Sequence, residues 1–302
     1  MEQLQRAWYG KDINLALHSK SEQEYEDFFS LIMQKKNSDN FTAVKAAGRD
    51  GDRKSDGYLI SEKRIYQVYA PSSGFKKANL INKIKGDFAG AKDKWKDKMQ
   101  AWTFVHNEFE GLPPYAIDAI EEIKQNNLRM PISVLGPNEL FDIAINLGLE
   151  KLIDVFGHVP TQKDMVDLTH EPIKTLLKAI SRQQRNPIDL EPVSVDKLDF
   201  NKLSEDVSSL LNAGRAKEKF VEDLIIRWPD PEYGEDLAAS FNSYYLKLKQ
   251  NNLSPDMIFH KLQIFSGGVN QDVKTQVSSL AVMSYFFERC DIFDNPPKGW
   301  KK

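Results

Sequence analysis

Gly48-Arg49-Asp50-Gly51-Asp52-Arg53-Lys54-Ser55-Asp56-Gly57-Tyr58-Leu59-Ile60, followed closely by Ile65-Tyr66-Gln67-Val68-Tyr69-Ala70-Pro71, decides how the first half of this chain folds. Gly48 to Ser55 reads as a glycine- and charge-rich turn, and Asp56 to Ser61 as a short strand. Ile65 to Ala70 reads as a second strand, ended by Pro71, because proline cannot extend a central ladder. Ser61-Glu62-Lys63-Arg64 joins the two as a hairpin. A turn about Glu62 and Lys63 sets Ile60 opposite Ile65, Tyr58 opposite Gln67 and Asp56 opposite Tyr69. Side chains alternate across a strand, so Asp56, Tyr58, Gln67 and Tyr69 share one face.

That face has the oxygen chemistry a hard cation needs. Mg²⁺ takes clustered oxygen ligands. The Asp56 carboxylate, the Gln67 amide oxygen and the Val68 carbonyl can supply three, and Glu24 or Glu26 on the preceding helix can add a carboxylate. Such a cation polarises a phosphate and lowers the pKa of an attacking water. A purely structural role explains the same residues: Asp-Gly pairs form turns, and Gln67 and Tyr69 suit a sheet. Spacing alone leaves both readings open.

Working outward, Ser21 followed by Glu24 has the pattern of a capping box. Phe28, Leu31 and Ile32 then recur at helical spacing, to about Lys36. Phe41 to Ala47 reads as a strand. After Pro71 comes a long helix whose stripe is Leu80, Ile81, Ile84, Phe88, Trp95 and Met99, weakened by Gly86 and Gly90. Trp102 to Val105 is a strand, Pro114 opens a helix to about Gln125, and Ile132 to Leu135 is a last strand stopped by Gly136-Pro137. Asn138 caps a helix to about Leu147. The order is helix, three strands, helix, strand, helix, strand, helix: a mixed α/β sandwich rather than a repeating βαβ wheel.

This part, roughly Ser21 to Leu147, resembles the PD-(D/E)XK, restriction-endonuclease-like superfamily. Asp56 matches the family's metal-binding aspartate, and Gln67 matches its second acidic position, where Gln is a known variant. The resemblance implies a mixed-sheet nuclease core, Mg²⁺ as cofactor, and Asp56, Gln67 and Tyr69 in the catalytic positions, with Asp56, Gln67 and Glu24 around the metal. Tyr69 stands where the family carries its catalytic lysine. A phenol donates a hydrogen bond but supplies no positive charge. Lys76 or Lys77 of the next helix can reach in to replace it.

Between Lys76 and Lys98 stand eight lysines and three aspartates, a local surplus of +5 against −3 for the chain. Lys76, Lys77, Lys83, Lys85, Lys92 and Lys94 are the candidates for contact with a phosphate backbone, whose signature is steep salt dependence. Lysines also simply solvate the outer face of an amphipathic helix.

Composition sets the limits. The chain has 302 residues, 41% hydrophobic and 28% charged, as in soluble globular proteins. Cys290 is the single cysteine, which excludes an intramolecular disulfide or a cysteine-based zinc site within one chain. Glu2, Arg6, Lys11 and Asp12 interrupt the N-terminus, and no apolar run reaches membrane-spanning length, so the expected location is cytoplasmic, with no membrane partner. His18, His106, His158, His170 and His260 have no metal-ligand spacing, and His106 reads as a sheet-edge residue rather than a base. There is no P-loop, dinucleotide fingerprint or EF-hand loop.

Beyond Phe156 the character changes. Gly157-His158-Val159-Pro160 and Arg185-Asn186-Pro187 flank one short helix. Helices are then expected at Asn201–Asn212, Ala216–Arg227, Gly234–Gln250, Ser254–Phe265 and Asp272–Arg289. The division expected is a nuclease-like domain at 1–156, a linker at 157–194 and an all-α domain at 195–302. About Phe200 to Phe293 resembles the C-terminal helical region of proteins that accompany ABC-type or SMC-like ATPases in bacterial three-component conflict systems. That implies antiviral defence and an ATPase partner; a second copy of the chain is the other candidate. Phe286, Phe287, Ile292 and Phe293 are either a docking patch or core. Two functions therefore stand: a DNA-binding, metal-dependent DNA-cleaving defence component, or a catalytically inactive nuclease-fold scaffold that docks an ATPase.

Overall fold

A computed structural model of the chain describes residues 1–45, 53–180, 197–269, 272–289, 291–297 and 300. Most of the turn read at Gly48 to Ser55, the end of the strand read to Ala47, Arg185-Asn186-Pro187 and Cys290 lie outside those residues. The chain forms two compact units: Ile13–Leu152, and Met1–Asp12 with Ile153–Lys302.

In the first unit, helix α2 (Glu22–Asn37) precedes strands β1 (Phe41–Ala43), β2 (Gly57–Leu59) and β3 (Arg64–Tyr69). Helix α3 (Lys77–Trp95) leads to β4 (Ala101–His106), α4 (Pro114–Gln125) to β5 (Ile132–Leu135), and α5 (Pro137–Ile145) follows. The five strands form one sheet in sequence order. β1, β2 and β3 are antiparallel neighbours, while β4 and β5 join in parallel. Tight turns suffice for the antiparallel part; each parallel step needs a crossover, which α3 and α4 provide. The expected mixed α/β order is present.

One sheet face packs on α3 and α4 through Ile65, Trp102 and Phe104 against Leu80, Ile84 and Ile120. Burying each such side chain contributes roughly 1.5–3 kcal/mol. On β1 and β3, Phe41 and Tyr66 pack against Phe29 of α2, with ring centres 5.5–6.0 Å apart. A Cβ at Gly57 would lie 2.5 Å from the Phe41 ring, so this triangle excludes a side chain there.

Several local expectations need correction. Ser21 is the N-cap of α2 but makes no side-chain capping bond; its carbonyl accepts the Glu24 N–H, while Glu22, with φ +51°, gives its N–H to Ala70 O. Gly136, not Asn138, caps α5; its N–H donates to Glu139 Oε2 at 2.9 Å, and Pro137 takes the first helical position. Helix α3 runs on through Gly86 and Gly90, as one long helix was expected to. Gly90 faces Lys54, whose Cγ would lie 2.9 Å from a Cβ placed there.

Helix α1 (Gln3–Ser19) was not expected. Leu4, Trp8, Tyr9, Ile13 and Leu17 are all buried, on more than one side of the helix, so no single stripe marks it. Helix α6 (Leu149–Phe156) follows Gly148, whose φ of +91° ends the preceding segment.

In the second unit, two helices, α7 (Gln162–Asp167) and α8 (His170–Ile180), replace the one expected. Thr161 caps α7 through Asp164 N–H, a start signal within the stretch read as linker. Helices α9 (Lys197–Phe200), α10 (Glu205–Arg215), α11 (Glu218–Ile226), α12 (Tyr233–Gln250), α13 (Pro255–Phe265) and α14 (Val273–Glu288) complete it. Ser254 and Asp272 cap α13 and α14. Every residue of α14 from Gln276 to Phe287 is buried, with α8, α10, α11 and α13 around it. Gly214 of α10 lets that helix approach: a Cβ there would be 2.6 Å from Leu280 O. Phe286, Phe287, Ile292 and Phe293 are at most 4% exposed, so the docking patch considered at these positions is interior core.

Candidate functional site

The β2–β3 register is Gly57 with Tyr66, Tyr58 with Ile65 and Leu59 with Arg64. This is two residues from the expected pairing, because the turn tightens to Ile60–Lys63. An even shift preserves the face. It brings Asp56 opposite Gln67 rather than Tyr69.

Asp56 is placed by backbone on both sides: its N–H donates to Tyr66 O at 2.9 Å, and its carbonyl accepts from Val44 N–H at 3.1 Å. Its Oδ2 accepts the Gln67 Nε2–H at 2.7 Å and the Val68 N–H at 2.6 Å. Both side chains are buried, Asp56 at 6% and Gln67 at 3% exposure. Gln67 Oε1 is buried and accepts no hydrogen bond among the described residues. Such an orphaned acceptor costs roughly 1–3 kcal/mol unless something satisfies it.

Asp56 lines a depression of about 570 Å³ with Glu26, Asp27, Ser30 and Lys45. Glu26 also lines a second depression, of about 450 Å³, with Glu22, Val68, Tyr69, Lys76 and Lys83. One end of this surface is thus carboxylate-rich, and lysines enter at the other. Glu24 is exposed and lines neither depression. Two positions along a helix is a rotation of about 200°, so Glu26, not Glu24, shares the surface with Asp56.

Tyr69 stacks on Phe75, with ring centres 5.8 Å apart, and Lys83 Nζ lies 5.9 Å from the Tyr69 ring centre. Lys77 instead sits over the Tyr115 ring at 5.4 Å. Lys85 pairs with Glu122 and Lys92 with Asn127 of the neighbouring α4 region. Lys83 and Lys85 are half-buried, while Lys76, Lys92 and Lys94 are exposed. The lysine-rich helix is therefore not one uniform basic face. Lys83 is one of the six lysines expected to meet a phosphate, but Lys76 or Lys77 was the expected neighbour of Tyr69, although the spacing of seven between Lys76 and Lys83, two helical turns, sets both on this face.

His106 ends β4 but is 4% exposed and lies beside Tyr69 in register. Burial lowers its pKa to about 4 against the opposing Glu139 charge. Its Nδ1 accepts the Glu108 N–H at 3.2 Å, so it is a neutral, structurally engaged imidazole.

Among the described residues no group of three or more His, Cys, Asp and Glu side chains is arranged to hold a metal. Asp56, Glu26, Gln67 Oε1 and water still match the donor class of Mg²⁺, which keeps several waters and needs only one or two carboxylates. No helix among the described residues is long and apolar enough to cross a membrane.

Comparison with protein families finds that residues 171–294, from α8 to beyond α14, match C-terminal domain 10 of the ABC-three component (ABC-3C) systems. No curated protein and no solved structure matches the chain.

Proposed function

We propose that this chain is a component of an ABC three-component bacterial defence system whose first unit binds DNA and cleaves it with a divalent metal. The observation that carries the reading is the buried Asp56–Gln67 pair, Asp56 just before β2 and Gln67 on β3, in which Asp56 lines the depression that Glu26 also lines. The helix–three strands–helix–strand order, with β4 parallel to β3, supports a restriction-endonuclease-like core. The domain match at 171–294 supports the system and an ATPase partner.

In this reading Asp56, Glu26 and Gln67 Oε1 would hold Mg²⁺, which would supply Lewis acidity to the scissile phosphate and to an attacking water. Asp56 is oriented by the Val68 N–H and the Gln67 amide, which fix its carboxylate before any ligand arrives. Lys76 and Lys83 face the same surface and offset phosphate charge. The test is plasmid cleavage in Mg²⁺ or Mn²⁺. Cutting that stops in EDTA and in Asp56→Ala supports the reading; full activity in either refutes it.

A second reading is an inactive nuclease-fold scaffold that docks the ATPase. It is favoured by the internal saturation of Asp56 Oδ2 and by Tyr69 in the lysine position. Under it, Asp56→Ala lowers stability but leaves ATPase capture intact, and no cutting occurs with any divalent ion.

A further inference from the structure

Lys76, Asn79 and Lys83 stand at i, i+3 and i+7 around the start of α3, on one face, and line the same depression as Val68 and Tyr69. Lys83 is not an ordinary surface lysine. Its Nζ is 2.9 Å from Oδ2 of Asp87, a carboxylate 3% exposed in the middle of α3. The other Asp87 oxygen is 3.2 Å from Lys54 Nζ. Two lysines share one carboxylate, so the trio keeps a net positive charge. A carboxylate buried in a helix costs several kcal/mol unless it is paired, and this pairing fixes where the Lys83 ammonium sits. Tyr69 completes the seat. Its ring is backed by Phe75, stacked at 10°, and lies 5.9 Å from Lys83 Nζ. An aromatic face attracts an ammonium, whereas a phenol has no positive charge of its own in any protonation state.

We propose that Lys83, steered by Asp87 and the Tyr69 ring, supplies the positive charge that β3 lacks, and that with Lys76 it binds a phosphate oxygen of a nucleic-acid strand in this depression. Lys83 touches the phosphate; Asp87 is a positioning residue. The inference rests on the nuclease reading above, and it names which lysines of α3 act there. Lys77, Lys85 and Lys92 do not line this depression; they sit over Tyr115 or reach Glu122 and Asn127 of the α4 region instead.

The test uses the full chain, a fluorescein-labelled DNA duplex in Ca²⁺ for binding, and Mn²⁺ for cleavage. Lys83→Gln removes the charge and keeps an uncharged polar side chain of intermediate length. It is expected to weaken binding about tenfold, to slow cleavage about a hundredfold and to reduce the salt slope by about one. Lys76→Glu, at an exposed position, is expected to weaken binding at least about tenfold and serves if Lys83→Gln folds poorly. The double variant Tyr69→Lys with Lys83→Gln returns a lysine to β3 and is expected to recover most of both losses, which a structural role for Lys83 would not give. Wild-type behaviour in Lys83→Gln and Lys76→Glu overturns this inference while leaving the nuclease reading standing. Failure of the double variant to recover, with Lys83→Gln impaired, overturns the equivalence with a strand lysine. A wild-type chain that neither binds nor cuts removes both readings.

Discussion

Asp56 takes two N–H groups on one carboxylate oxygen inside a buried site, so its removal has consequences beyond chemistry. Asp56→Ala leaves the Val68 N–H unpaired and the Gln67 amide with only its long bond to Val68 O, and should cost about 1–3 kcal/mol in urea unfolding, besides any loss of cutting. A variant as stable as wild type would mean that the Asp56 carboxylate is not engaged as described. Asp291 offers a second residue-scale test. It is 1% exposed, and neither oxygen accepts a hydrogen bond among the described residues. Burial raises its pKa to about 7, opposed by Arg289 and the buried Lys197. A carboxyl whose folded pKa is raised stabilises the fold below its unfolded pKa and loses that contribution as pH climbs through the folded value. Stability should therefore fall between about pH 4 and pH 7 by an amount on the order of a few kcal/mol, and Asp291→Asn should flatten that fall. An unchanged pH profile in the variant would exclude the buried acid as its source. At this scale Asp56 and Gln67 were legible because alternation along two strands leaves few alternatives. Glu26 was legible only as one of two choices, since sequence does not say which helix face meets the sheet. Lys83 was hidden among seven other lysines because its distinction is a buried partner, Asp87, whose charge argues for solvent although its spacing from Leu80 and Ile84 sets it on the buried stripe.

At the scale of elements, most strands and the later helices follow directly from local signals: Pro114, Ser254 and Asp272 mark starts that the fold uses. The β2–β3 turn did not, because Ile60 and Arg64 suit a strand or a turn equally, and hydrogen bonds decide between them. Helix α1 lacks a stripe, and α14 is buried nearly all round, but only α14 has a cap strong enough to read. The contact between α10 and α14 gives a clear prediction. Gly214→Ala puts a methyl within 2.6 Å of the Leu280 carbonyl and 2.1 Å of Ser284 Oγ. Helix propensity alone would make the change stabilising; the clash should instead destabilise by roughly 1–3 kcal/mol. A rise in thermal midpoint would show that the two helices can separate at no cost. The α3 lysines make a parallel case. If backbone phosphate is bound at the Glu26 surface, Lys76→Glu should flatten the salt dependence of DNA binding more than Lys85→Glu, since Lys85 already pairs with Glu122. Equal effects would point to a diffuse basic field rather than a seat.

For the whole molecule, the division of labour is a mixed-sheet unit carrying the charged surface and a helical unit carrying the ABC-3C domain match. The aromatic cluster at the chain's end belongs to the interior of the helical unit, as dense aromatics usually do. The docking proposed for this unit would therefore have to use other residues. Val166 at 71% and Ile226 at 72% exposure are the large apolar side chains this unit leaves most open to solvent. If this unit docks an ABC ATPase, as proposed, Val166→Asp with Ile226→Asp should reduce co-purification with that ATPase without altering the unfolding midpoint; undiminished capture would remove these positions from the interface. The central claim, however, concerns the first unit: Asp56, Gln67 and Glu26 hold a divalent metal. A crystal soaked in Mn²⁺ and measured for anomalous scattering tests it most directly. The account predicts a peak within coordination distance of Asp56 and Gln67 Oε1, lost in Asp56→Asn. A well-ordered site with no peak, and the Asp56–Gln67 hydrogen bond intact in saturating Mn²⁺, would contradict it.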